Sequence, residues 1–476
     1  MKQEIFALSV FFIVLLVTTS PAQPADFPEI ETQVLGNTAD GRIFLSPSLP
    51  VPYKLFVLDN DGNPLKYIEA QPAYRYTDFK QLNDTVFAYS FDPPWGEPAY
   101  YLTDTLLNNI DSFRAGNGKV LDFHDFILLE NGHALVLVYD QQTMDMSQYV
   151  TGGNPNALVT GLIIQEVDNQ QQVFWEWKSW DHFQITDGIS SGANNLIDFT
   201  LPAISYIHAN SLDIDSQGNI LLSSRNMHEV TKIDRSTGDI IWRLGGKNNQ
   251  FTFINDTLGF TDQHDARWVG DNRITVFDNG NFHVPKQTRV LEYELDEVNK
   301  TATLVWEFPN PYGAVSTSAG NAQRLANGNT FIGWGTRSPF SAPAITEVQT
   351  DGAIVFELTF LLNGQPSNQS SYRSFRFPLP EPMATRVGES ALVEPVSVKI
   401  SPNPASDHLS LVFNKPITMG KLEIFNRAGI MVFSGALPAI RQNEPYSLPI
   451  GFLEDGLYFY SITSNSFGST GKLLKL

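Results

Sequence analysis

The sequence predicts an all-β chain: a six-bladed β-propeller over residues 26–374, then a small C-terminal β-sandwich over 395–476. Three observations predict it. Short apolar strands separated by Gly, Asn and Asp turns recur between about residues 40 and 360. Each recurrence closes on a strand rich in Trp or Phe. Near residue 375 the pattern stops, and a proline-rich stretch leads into a shorter run of alternating strands.

The bulk numbers agree with this class. At 476 residues the chain is too long for one small core. Hydrophobic residues make up 42% and aromatics 12%, enough to fold. The 34 glycines and 29 prolines suit a turn-rich β chain. Net charge is -20, which argues against nucleic acid and anionic membrane surfaces, since both call for basic patches. An anionic ligand would therefore need a locally positive site. With no cysteine, disulfides, thiolate catalysis, iron–sulfur clusters and Cys-zinc sites are excluded.

The chain begins MKQEIFALSVFFIVLLVTTSPAQP. A lysine precedes an uncharged apolar run from Ile5 to Val17, and a small-x-small site ends at Ala22. This reads as a secretory signal peptide over 1–22. The run is too short to span a bilayer comfortably, so no transmembrane segment is expected in the mature chain.

Six closing strands define the repeat: LKYIEA (65–70), NIDSFRA (109–115), QVFWEWKSW (172–180), DIIWRLGG (239–246), TLVWEFP (303–309) and AIVFELTF (353–360). Such a period implies radial repetition, each blade burying its face against the next. The first two repeats are degenerate, which leaves five or seven blades as alternatives, and a β-sandwich array as another architecture. Residues 375–394, with FRFPLPEPMATRVGES, read as a linker.

The tail resembles the type A C-terminal sorting domain of the type IX secretion system. The resemblance rests on SPNPASDHLSL (401–411), EIFNRAGIMVFSG (423–435), EDGLYFYSI (454–462) and GKLLKL (471–476). It implies the type IX secretion machinery as a partner, passage across the outer membrane and removal of the tail. The product would be secreted or attached to the cell surface.

A propeller's innermost strands line its channel, so their residues face any ligand. His124 lies eight residues before Gly132, His264 eight before Asn272, and Asn210 eight before Gly218, with His208 two further back. Residues i and i+2 of a strand share a face, so His208 and Asn210 are expected to point with His124 and His264 toward one axis. Packing alone has no reason to repeat imidazole there. Arg225, at the end of the next strand, would supply the local cation. The neighbours Asp125 and Asp265 fall on the opposite face and are expected to be structural, as is an interblade salt bridge from Arg267. His133, His228 and His283 lie outside the register. Trp175 and Trp177 are expected to pack between blades. Trp180 and Phe183, just beyond that strand, are candidates for a stacking wall against an aromatic ligand.

Converging histidines fit two chemistries. One is a metal site, although a neighbouring Arg225 would repel a cation. The other is a nucleophilic imidazole with His, Asn and Arg donors stabilising a transferred sulfuryl or phosphoryl group.

The ordered set WEWKSWDHF, IHANSLDID with SSR, IIWRLGGKNNQF, QHDAR and FDNG is similar to the bacterial arylsulfate sulfotransferases of the arylsulfotransferase family. The resemblance spans roughly 120–340. It implies a six-bladed propeller that moves a sulfuryl group from a phenolic sulfate ester to a phenol, by ping-pong through a sulfohistidine, with no nucleotide sulfate donor, cofactor or metal. It makes His264 the nucleophile, and His124, His208, Asn210 and Arg225 the groups that hold the sulfuryl oxygens. Family members of the enterobacterial type carry a disulfide and an extra N-terminal β-domain; this cysteine-free chain falls in a shorter branch. A metal-dependent propeller hydrolase or lyase, or a non-catalytic binding propeller, stands as the alternative.

Overall fold

The computed structural model describes residues 27–47, 54–69, 75–93, 97–192, 195–270, 272–378, 398–417, 420–426, 431–464 and 467–476. The signal peptide read at 1–22 lies outside them, as does the linker beyond residue 378. The described residues form strands and four short 3-10 turns, without an α-helix. No helix among them is long and apolar enough to cross a membrane. The chain divides into two compact units, residues 1–101 with 112–388, and residues 102–111 with 389–476.

Among the described residues, six sheets of four or more strands lie between residues 29 and 377. Sheets I to V begin on the inner strands Arg75–Asn83, Leu121–Leu128, Ala209–Ile214, His264–Trp268 and Asn321–Arg324. Three further strands follow in chain order in each, and the six closing strands read from the sequence fall on the fourth strand counted from the inner one. Sheet VI joins the early strands between residues 42 and 69 to the strand Ser371–Phe377. Its inner strand Ser371–Phe377 pairs with Arg42–Pro47, with Phe44 opposite Phe375. Glu29–Val34 adds an outer edge to sheet V.

The strand sequences explain this stacking. A strand buried on one face alternates apolar and polar residues, whereas one with neighbours on both faces is apolar throughout. Ile220–Ser224, ILLSS, is buried at every position. Ile220 and Leu222 pack with Leu135, Leu137, Ile164 and Trp177 of sheet II. Leu221 packs the other way, with Ile274, Val276, Leu291 and Tyr293 of sheet IV. Phe277 and Val290 repeat the arrangement with Ile332 and Trp334 of sheet V, and Phe331 and Phe356 with Ile43 and Phe56 of sheet VI. Each such side chain contributes roughly 1.5–3 kcal/mol on burial.

The inner strands are hydrogen-bonded one to the next. Lys80 of sheet I reaches Asp125 of sheet II at 2.6 Å, and Asp125 accepts from Leu212 N of sheet III at 2.9 Å. Ala266 N of sheet IV donates to Ser211 at 3.0 Å, and Ala322 N of sheet V to Asp265 at 3.1 Å. Asn321 of sheet V and Ser374 of sheet VI exchange two bonds, and Arg373 of sheet VI meets Asp78 of sheet I at 2.7 Å.

The C-terminal unit has a three-stranded and a four-stranded sheet. Leu409, Leu411 and Phe413 of the first share one core with Leu422, Ile424, Ile462 and Leu473 of the second. The strand His408–Phe413 alternates buried and half-exposed residues, as a one-sided sheet requires.

Candidate active site

Tight turns set the register of the inner strands. Gly132, Gly218 and Gly328 hold φ of +83°, +87° and +88°, a region that favours glycine. They end the inner strands of sheets II, III and V, so residues eight positions earlier stand near the opposite end.

There the imidazoles gather. The His124 and His208 rings meet edge to face with centroids 4.8 Å apart. His124 stacks on Phe123 at 4.2 Å and lies 5.6 Å from the Tyr372 ring. Its Nδ1 and its main-chain N–H both bond Asp122 Oδ1, at 2.6 and 3.0 Å. That carboxylate fixes the ring and leaves Nε2 for other work. His208 lies beside Tyr139, centroids 6.0 Å apart, with its main-chain carbonyl accepting from Arg225 N at 3.0 Å. Burial lowers its pKa well below the usual value, and the neighbouring His124, Arg225 and His264 side chains lower it further.

His264 is buried, and its tautomer follows from its partners. The Asn279 amide nitrogen donates to the carbonyls of Ser316 and Ala319 at 2.8 and 3.1 Å, so the amide oxygen faces the ring. His264 Nδ1 lies 2.7 Å from that oxygen and must carry the proton. Nε2 therefore keeps its lone pair, and the Ala319 N–H points at it from 3.2 Å. Burial and the charge of Arg225 push the imidazole down to about 3, so it is neutral at pH 7. Ala319 and Gly320 hold positive φ, 60° and 102°; a Cβ on Gly320 would meet the Phe277 ring at 2.4 Å. The turn that presents this N–H thus depends on a glycine.

Arg225 opens a short 3-10 turn directly after the second strand of sheet III. Its guanidinium makes only long contacts: Asn226 Oδ1 and Thr317 O at 3.3 Å, and Asp262 at 3.4 Å. Its Nε is buried without a partner among the described residues, as is the Tyr372 hydroxyl. Burial lowers the Arg225 pKa, against the pull of Asp262.

Two expectations are corrected. Asn210 does not share a direction with His208 by strand alternation: His208 precedes the strand at φ 43°, which breaks the alternation. The Asn210 amide nitrogen donates to Gln263 O of the neighbouring sheet at 2.7 Å, so it ties sheet III to sheet IV. Trp180 and Phe183 do not wall the site. A 3-10 turn at Ser179–Asp181 folds the chain back. Phe183 enters the core with Trp177, and Trp180 packs over Gly161 and Tyr206 with its indole N–H on Asp140 at 3.0 Å.

His228, read as outside the register, also reaches this region: its Nε2 lies 3.1 Å from Asp262. Four further residues that the sequence reading did not assign bear on the site: Asp262, Asn279 within the FDNG motif, Tyr372 and Arg373. Arg373 donates to the carbonyls of His124 and Asn210 at 3.1 and 2.6 Å. Its strand follows the last visible repeat, where local periodicity ends.

A family model for arylsulfotransferase (ASST) matches residues 97–361, and one for a secretion system C-terminal sorting domain matches 399–475. Comparison with curated proteins returned no match. Among solved structures, the chain is similar to a protein of unknown function from Bacteroides caccae. That match has 11% identity, 71% of this chain and 98% of that one covered, and a TM-score of 0.42. It is also similar to virginiamycin B lyase from Staphylococcus aureus, with 10% identity, 81% and 96% coverage and a TM-score of 0.33. The tail is a sorting domain for secretion. Since the first match spans more than half of its 476 residues, the chain belongs to the arylsulfotransferase family.

Proposed function

We propose that this protein is an exported aryl sulfotransferase. It moves a sulfuryl group from a phenolic sulfate ester to a phenol through a sulfohistidine at His264. The observation that carries this reading is the neutral His264, locked with its proton on Nδ1 and its lone pair on Nε2, beside Arg225. We also read the six sheets as blades of one closed propeller over residues 26–374, with a sorting domain over 395–476. The chain of bonds from each inner strand to the next supports the closure.

In the first half-reaction, His264 Nε2 gives up the Ala319 N–H, which turns to a sulfuryl oxygen, and attacks the ester sulfur. The N–S bond forms as the bond from sulfur to the aryl oxygen breaks, and its electron pair leaves on the phenolate. Asn279 holds the Nδ1 proton throughout. Arg225, His208 and the Ala319 N–H stabilise the sulfuryl oxygens, in an environment where such donors act strongly. His124, oriented by Asp122, exchanges a proton with the phenol oxygen at Nε2. In the second half-reaction an acceptor phenol attacks the same sulfur, gives its proton to His124 and frees His264. Asn210 acts from behind, through Gln263. The sorting domain supports export through the type IX machinery to the cell surface or beyond.

A metal-dependent reading has less support. No group of three or more His, Asp or Glu among the described residues is arranged to hold a metal ion. The test is release of phenol from a chromogenic aryl sulfate, with and without a phenol acceptor, and with EDTA. Acceptor-stimulated, chelator-resistant release that vanishes in His264→Ala supports the reading. Full release by that variant contradicts it.

A further inference from the structure

Asp262 lies two residues before His264, on the approach to the inner strand of sheet IV. It is fully buried and holds φ 51°. Its carboxylate accepts from Ser190 Oγ at 2.6 Å, Asn281 Nδ2 at 2.8 Å, His228 Nε2 at 3.1 Å and Arg225 at 3.4 Å. Its main-chain oxygen lies 3.2 Å from His264 Nδ1. One residue therefore touches both the nucleophile's ring and the cation beside it.

Arg225 has little else to hold it. Among the described residues, Asp262 is the one carboxylate within ion-pair distance. The other partners are two neutral oxygens at 3.3 Å, and Nε has none. A buried guanidinium without a counter-charge is costly and moves toward whatever compensates it. The carboxylate is itself braced by three neighbours, so it is the fixed member of the pair. It occupies one nitrogen of the guanidinium and leaves the Nε edge for an anionic oxygen.

We propose that Asp262 is a positioning residue that holds the Arg225 guanidinium in place for the sulfuryl group carried by His264. The assignment rests on the sulfotransferase reading for its purpose, and on the contacts above for its geometry.

The test uses Asp262→Asn, Arg225→Lys and the double variant in the full chain. Asparagine tolerates the left-handed backbone and keeps an acceptor oxygen, so the fold is retained. Asp262→Asn is expected to lower kcat for sulfuryl transfer about 100-fold, the cost of misplacing a transition-state group, with the acceptor KM unchanged. In the Arg225→Lys background the same change is expected to have almost no further effect, because partners acting as one unit are not additive. Full activity of Asp262→Asn, or two losses that multiply in the double variant, would overturn the proposal. A crystal structure of Asp262→Asn reads the geometry independently of activity. Displacement of the Arg225 side chain supports the positioning role, and an unmoved guanidinium overturns it. Lack of sulfuryl transfer by the unmodified protein would instead sink the functional reading, and the crystal structure would still decide the role of Asp262.

Discussion

Neighbouring residues on the same inner strands live in opposite environments. His124 and His264 gather with Arg225 and His208 in a site whose cation, Arg225, makes only long contacts and has an unpartnered Nε among the described residues. Asp125 and Asp265, each one position later, belong to a buried belt in which every charge is matched. Asp125 takes Lys80 at 2.6 Å, Arg267 at 2.7 Å and Arg373 at 3.4 Å. Asp265 takes Arg267 at 2.9 Å and Arg373 at 3.2 Å, and Asp78 takes Lys80 and Arg373, both at 2.7 Å. Burial alone would raise the Asp125 carboxyl, but Arg267, Lys80 and Arg373 hold it far below the usual range. Satisfied charge makes a scaffold, and charge left available makes a site. A histidine and an aspartate side by side can serve each purpose.

The comparison breaks first at His264. Replacing it by Ala is expected to cut sulfuryl transfer by about 10⁴-fold or more, as loss of a nucleophile does, with a stability cost of only about 1–3 kcal/mol from the unpaired Asn279 oxygen. Arg373→Met should act mainly on stability. It leaves three buried carboxylates with only Lys80 and Arg267 between them and should lower unfolding stability by about 3–5 kcal/mol, read by urea titration. If Arg373→Met unfolds like the parent protein, the belt is not a scaffold. Asp122→Asn frees the His124 ring and is expected to slow transfer about 100-fold, read as kcat with no change in unfolding midpoint.

Acid sharpens the contrast. His264 is held down to about 3 by burial and Arg225, while in the unfolded chain it titrates near 6.5. As pH falls through 6.5, the unfolded state takes up a proton that the native site refuses. Stability is therefore full above 6.5 and is lost on acidification, at up to about 1.4 kcal/mol per pH unit from this residue. His208 acts in the same direction. Urea titrations at pH 7 and 5 should show the drop, and His264→Gln should show less of it. Smallest of all is Trp180→Leu. It packs over Gly161 and Tyr206 with its indole N–H held by Asp140, so KM for an aryl sulfate should stay the same. A clear rise in KM would restore it as a stacking wall.

Much of this was legible in the chain. Five of the six closing strands mark their sheets because each buries a ring: Phe113, Trp177, Trp242, Phe308 and Phe356. His124 and His264 were found by counting back from turns that only glycine or asparagine makes easily. Arg267 pairs across sheets, as its position opposite the shared face implied. What escaped notice has physical causes. Alternation assumes extended backbone, and the left-handed His208 violates it. Arg373 sits on a strand whose pairing partner lies more than 300 residues away, beyond any local pattern. Trp180 and Phe183 were misread because the 3-10 turn after their strand reverses them into the core. Asp262 and Asn279 matter through what they hold, and no spacing reports that.

The central claim is that His264 carries the sulfuryl group. Incubating the protein with a chromogenic aryl sulfate and no acceptor, followed by peptide mapping by mass spectrometry, tests it directly. The account predicts one sulfuryl group on His264, discharged when a phenol is added. A protein that turns over the ester yet carries no sulfuryl group, or carries it on another residue, contradicts it.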